Sequence, residues 1–177
     1  MYTLLHNHKR LHFLAMPRTA SKSTRTALQK MGAVTYGSHH TTDAYTEVVK
    51  SGDIVVTTVR NHWDWFTSFW CLNGCPGKFD NWVREVCRDS PWIKRNPDCT
   101  RCELFWKYVP LANHIMRYES IEQDLTSVMT MNGFPKPVFE PWLANKRHYT
   151  SFYTSVMVEY IRNLFGSEIN DLGYTFT

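Results

Sequence analysis

Apolar positions along this chain fall into short runs separated by hydroxyl-rich or glycine-containing breaks, and the runs follow two different periods. Leu11-His12-Phe13-Leu14-Ala15-Met16 is short, apolar and partly aromatic, which predicts a buried strand. Ser21 to Lys30 carries Ala27, Leu28 and Gln29 with no breaker before Gly32, which predicts a helix. Ala33-Val34-Thr35-Tyr36 reads as a second short strand closed by Gly37-Ser38. Thr41 or Thr42 can cap a helix through Tyr45, Val48 and Val49, and Ser51-Gly52 stops it. Asp53 to Val59 is then the strongest β-branched run, as expected of a central parallel strand covered on both faces. This alternation predicts an α/β fold: a central parallel sheet flanked by helices, with right-handed crossovers.

Residues 71–112 break the rhythm. With Pro76, Gly77, Pro91 and Pro97 they read as an irregular insertion carrying one helix around Phe79 to Cys87. The sheet resumes at Asn113 to Tyr118, a helix follows over Ile121 to Met131 until Gly133, and Phe134 to Pro141 is a proline-containing loop. Tyr153, Val156, Met157, Tyr160, Ile161 and Leu164 recur at helical spacing, with Gly166 after them. One domain of 177 residues is expected, since 43% hydrophobic and 15% aromatic residues suffice for a core. The net charge of +4 suits an anionic small ligand and is too small to demand nucleic acid. Without an apolar stretch of about 18 residues, the reading is a soluble, cytoplasmic protein that meets no membrane. All five cysteines lie within 71–102. Cys99-x2-Cys102 has a metal-ligand spacing and Cys71-x3-Cys75 is close to one, so a four-thiolate zinc site is one reading and reduced structural thiols the other.

The chemistry concentrates between the first strand and first helix, in Met16-Pro17-Arg18-Thr19-Ala20-Ser21-Lys22-Ser23-Thr24. The first amides of a helix have no intrahelical partner and carry partial positive charge, so a phosphate fits there. Thr19, Ser21, Ser23 and Thr24 add hydroxyls, and Arg18 and Lys22 add cations. The plainer alternative is a hydroxyl-capped helix with two surface cations. A second cluster follows the central strand: Arg60, then a helix from about Asn61 that brings Ser68 two turns on, able to clamp another phosphate. Ligands of parallel sheets bind at the carboxyl ends of strands, where Arg18, His39 and Arg60 all fall.

Pro-Arg-Thr-Ala-Ser-Lys-Ser after the first strand and Arg-Asn-x-x-Asp-x-x-x-Ser after a later one together resemble the two nucleotide signatures of the sulfotransferase family. Met116-Arg117-Tyr118-Glu119-Ser120-Ile121 resembles its "LRYEDL" junction, and Leu164-Phe165 through Leu172-Gly173-Tyr174 its "FGY" ending, so the resemblance spans nearly the whole chain. It implies a P-loop-like three-layer sandwich and, as co-substrate, 3′-phosphoadenosine 5′-phosphosulfate (PAPS), with no metal required. The 5′-phosphosulfate would lie on Pro17, Arg18, Thr19, Ala20, Ser21, Lys22 and Ser23, and the 3′-phosphate on Arg60 and Ser68. Tyr118, and Lys146 and Arg147 in a basic lid, would join the nucleotide site; Trp63 and Trp65 are further stacking candidates. The family usually has Lys at the position of Arg18, Gly at Ala20, Thr or Ser at Lys22 and Pro at His62, while Arg at the first position occurs in tyrosylprotein-type members.

Sulfuryl transfer resembles phosphoryl transfer, an in-line displacement driven by positioning and electrostatics. Arg18 is assigned to charge stabilisation on the bridging oxygen. His39 and His40 are the candidate bases for the acceptor, a hydroxyl or amine of a small molecule, glycan or peptide, with His62, Asp43 and Glu47 behind them. Two rival readings are a P-loop kinase, which lacks both close-approach glycines (Met16 and Ser21 stand there), and a non-catalytic nucleotide- or polyanion-binding or zinc-stabilised module.

Overall fold

The computed structural model describes residues 1–37, 45–89, 108–140 and 148–177, so His39, His40, Asp43, Cys99, Cys102, Lys146 and Arg147 lie outside the described residues. The chain forms two compact units, Met1–Val59 with Lys107–Ala144 and Arg60–Trp106 with Asn145–Thr177. The class is mixed α/β: a five-stranded sheet flanked by helices.

In the first unit the strands are β1 (Tyr2–His6), β2 (Lys9–Leu14), β3 (Val34–Thr35), β4 (Ile54–Val59) and β5 (His114–Arg117), in the order β3-β1-β2-β4-β5. Only the β2–β4 and β4–β5 pairings are parallel; β1 is antiparallel to both β2 and β3. The all-parallel expectation is corrected at this edge, and the reason is local. Asn7 and His8 both have positive φ, 47° and 65°, and close a two-residue hairpin in which His6 faces Lys9. Polar residues at that turn hide β1 from a search for apolar runs, and the resulting hairpin leaves β3 to pair along the outer edge of β1.

Alternation along the strands places Tyr2, Leu4, Leu11, Phe13, Ala15, Ile54, Val56 and Met116 on one face. Helices α1 (Ser21–Lys30) and α5 (Ile121–Met131) supply Leu28, Ile121, Leu125 and Met129 to the same core. Between them in sequence lies the single turn α2 (Tyr45–Val48), whose Tyr45 hydroxyl donates to the Leu111 carbonyl at 3.0 Å. On the opposite face the polar side chains of Thr3 and His12 are buried.

The second unit is helical: α3 (His62–Leu72), α4 (Phe79–Asp89), a 3₁₀ turn at Tyr149–Phe152 and α6 (Ser155–Asp171). Its core is largely aromatic, with Trp70 and Phe79 at 5.3 Å and Phe79 and Tyr153 at 4.9 Å, both edge-on, the arrangement that matches ring edges to ring faces. Trp63 is fully buried and donates from Nε1 to the Val158 carbonyl at 3.2 Å. Helix α6 runs through Gly166 to Asp171, kinking at Phe165 (φ −123°), and beyond its end Gly173, with φ 62°, closes a turn in which the Tyr174 amide donates to the Ile169 carbonyl. No described helix is long and apolar enough to cross a membrane.

Candidate functional site

The loop between β2 and α1 is built differently from a hydroxyl-capped turn. The N-cap of α1 is Ala20, in the left-handed region at φ 62° and ψ 18°, and no side chain caps the helix. Arg18 is left-handed too, at φ 64°. Each such non-glycine residue costs on the order of 1 kcal/mol, so the loop holds two strained residues directly before the helix.

The hydroxyls divide into two sets. Thr19 is fully buried and donates its proton to the Met16 carbonyl at 2.8 Å, and Ser23 donates to the Ala20 carbonyl at 3.0 Å. Both protons are thus used in closing the loop, leaving these oxygens only as acceptors. Thr24 is different: its Oγ1 is buried with no hydrogen-bond partner, as is Oγ1 of Thr58 in β4. A buried hydroxyl without a partner costs about 1 to 3 kcal/mol, so Thr24 retains an unused donor on the buried side of the first turn of α1. Lys22 sits near enough to the Glu140 carboxylate to favour its ionised form, secondary to Lys30, whose Nζ lies 2.7 Å from Glu140 Oε1 and holds that carboxyl below its usual range. Tyr118 follows β5 in a 3₁₀ turn and packs, partly buried, against the hydrophobic core of its unit. The junction is set by Asp124, whose Oδ2 accepts from the Arg117 amide at 2.7 Å and the Ser120 hydroxyl at 2.9 Å.

In the second unit Arg60 follows Val59, the last residue of β4, and its Nε donates to Asp64 Oδ2 at 2.7 Å, one helical turn along. That bond orients the guanidinium at the start of the helix. Asn61 caps α3, accepting from the Trp63 amide at 3.1 Å while its amide nitrogen donates to the Thr175 carbonyl at 2.8 Å. Ser68 is half-buried farther along the same helix. The two phosphate-binding clusters predicted from sequence therefore belong to different units, each organised around its own strand-to-helix junction.

His62 is removed as a base. Its ring is fully buried, 5.3 Å from the Phe165 ring and 6.5 Å from that of Tyr174, and desolvation lowers its pKa to about 3. Trp63 and Trp65 are likewise buried core aromatics. Of the other base candidates, Glu47 is exposed on α2.

The structure also contains a chain of polar groups that sequence patterning passes over. Thr3 Oγ1 lies 2.8 Å from His12 Nδ1, and His12 Nε2 lies 2.9 Å from Asp53 Oδ2. Asp53 also accepts from Arg10 at 3.1 Å and from the Lys50 amide at 2.8 Å. Burial pushes the Asp53 carboxyl up, but the Lys50 amide, His12 and Arg10 together outweigh it and hold the group below its usual range. Desolvation lowers His12, against the opposing pull of Asp53. A neutral His12 carrying its proton on Nε2 satisfies both neighbours, with Thr3 donating to Nδ1. The order hydroxyl, imidazole, carboxylate is that of a nucleophile triad, yet the imidazole is wholly buried, so the network ties β1, β2 and β4 together rather than meeting a substrate. Its one sequence signal is a histidine inside the apolar run 11–16. No family model, curated protein or solved structure matches this chain.

Proposed function

We propose that this chain is a PAPS-dependent sulfotransferase that moves the sulfuryl group to a hydroxyl or amine acceptor and releases adenosine 3′,5′-bisphosphate. The observation that carries the reading is the β2–α1 loop: a helix N-terminus with no side-chain cap behind two left-handed residues. An uncapped first turn leaves amide donors for an anion. The donor set offered to a phosphosulfate is the amides of the first turn, the Ser21 hydroxyl, and the Arg18 and Lys22 cations. Thr19 and Ser23 shape the loop instead of donating. Arg18 would neutralise charge growing on the bridging oxygen as the sulfuryl group leaves, because a guanidinium stays charged and can donate two parallel hydrogen bonds. Arg60, oriented by Asp64, and Ser68 would take the 3′-phosphate. His39 or His40 would remove the acceptor proton, with Lys146 and Arg147 closing over the nucleotide. The P-loop-like three-layer sandwich belongs to the same reading, as does an acceptor drawn from small molecules, glycans or peptides.

Thermal unfolding with added nucleotide tests it. Adenosine 3′,5′-bisphosphate should raise Tm by mass action, about 2.7 kcal/mol at a hundredfold excess over Kd, and ATP with magnesium should do much less. Arg18→Ala should abolish transfer of labelled sulfate from PAPS. Equal protection by ATP, or unchanged turnover in Arg18→Ala, refutes the proposal.

A further inference from the structure

The end of α3 brings two thiols together. Cys71 lies in the last turn of the helix, and the chain then reverses through Gly74 (φ 77°) and Cys75 (φ 55°). The Gly74 amide donates to the Cys71 carbonyl at 3.1 Å and the Cys75 amide to the Trp70 carbonyl at 3.0 Å, which returns Cys75 beside the helix it has left. The Trp70 indole pins the exit by donating to the Pro76 carbonyl at 3.3 Å. The outcome is a pair of sulfur atoms 3.9 Å apart, Cys71 exposed and Cys75 half-buried, neither in a disulfide.

Two features distinguish this pair from surface thiols that happen to be neighbours. Cys75 is a non-glycine residue at positive φ and it precedes Pro76, a position that sterics drive toward extended φ; such a conformation persists where the surroundings over-determine it. The separation also matches a ligand geometry. Two thiolates bound at about 2.3 Å to a tetrahedral zinc lie about 3.8 Å apart. A disulfide would need the sulfurs to close to about 2.05 Å, whereas the metal needs no rearrangement.

We propose that Cys71 and Cys75 form a paired-thiolate site for a soft divalent cation, zinc foremost. Thiolate sulfur selects soft and borderline metals over magnesium or calcium. Among the described residues no third histidine, cysteine or carboxylate joins the pair, so it supplies two of four ligand positions. Binding converts two thiols to thiolates and releases two protons, so affinity falls as pH falls. The site is independent of the nucleotide reading: it lies at the far end of α3 from Arg60 and needs no nucleotide.

The test uses the full chain, reduced, stripped with a chelator and titrated with zinc against a competing chromophoric chelator. Cobalt in place of zinc supplies a thiolate-to-metal charge-transfer band as a second readout. The expected result is one equivalent bound, with affinity lowered at least tenfold in Cys71→Ser and in Cys75→Ser but not in Cys87→Ser. Both serine variants should keep the far-ultraviolet circular dichroism of the parent. Reduced wild-type chain that takes up no metal, or a Cys71→Ser/Cys75→Ser double variant that binds as wild type does, overturns the proposal.

Discussion

His62→Phe offers a direct measure of how a buried imidazole couples stability to pH. His62 has a pKa of about 3 in the folded chain, against an ordinary value of 6.5, because burial among Phe165 and Tyr174 disfavours the cation. The unfolded chain therefore takes up the proton first. Stability is intact above about pH 6.5 and drains as pH falls toward 3. Linkage gives a loss of about 2 kcal/mol between pH 7.5 and pH 5, and about 1.4 kcal/mol for each further unit down to about 3. Phenylalanine keeps an aromatic ring against the same neighbours and has no proton to bind. Tryptophan fluorescence in urea is the assay, because the described tryptophans, Trp63, Trp65, Trp70 and Trp82, all belong to the unit that contains His62. Acid losses shared with other groups, His12 among them, cancel in the difference between wild type and variant. His62→Phe should hold about 2 kcal/mol more of its neutral-pH stability at pH 5. Parallel stability-versus-pH curves would refute the assignment of a neutral core imidazole.

Two further substitutions probe the first unit. Thr24→Val removes a buried hydroxyl that has no partner, so it should raise Tm by about 2 to 4 °C; a lower Tm would mean the hydroxyl is satisfied. Asp53→Ala strips His12, Arg10 and the Lys50 amide of their shared acceptor and should cost about 2 kcal/mol in urea unfolding followed by circular dichroism, and an unchanged midpoint would show that the network contributes nothing.

Elements whose pattern is local were legible. Val55, Val56, Thr57 and Thr58 are β-branched and fully buried or nearly so, as a central strand requires, and α5 begins and ends where Ile121 and Gly133 place it. The β1–β2 hairpin was not legible, because Asn7 and His8 adopt positive φ without the glycine that usually signals such a turn. At α1 four hydroxyls surround the junction, yet the residue at the N-cap is Ala20, which is not the plainer hydroxyl-capped alternative.

By itself the sequence determined which residue types meet at each strand-to-helix junction, because spacing along one strand or helix sets which side chains are neighbours. Which atoms remain available for chemistry was decided only by the tertiary structure. Hydrogen bonding and desolvation depend on partners far away in the chain, as with Asp53 beside His12 and Phe165 beside His62. Those contacts make two histidines structural, occupy the Thr19 and Ser23 protons, leave the Thr24 hydroxyl unused, and bring the sulfurs of Cys71 and Cys75 to ligand separation.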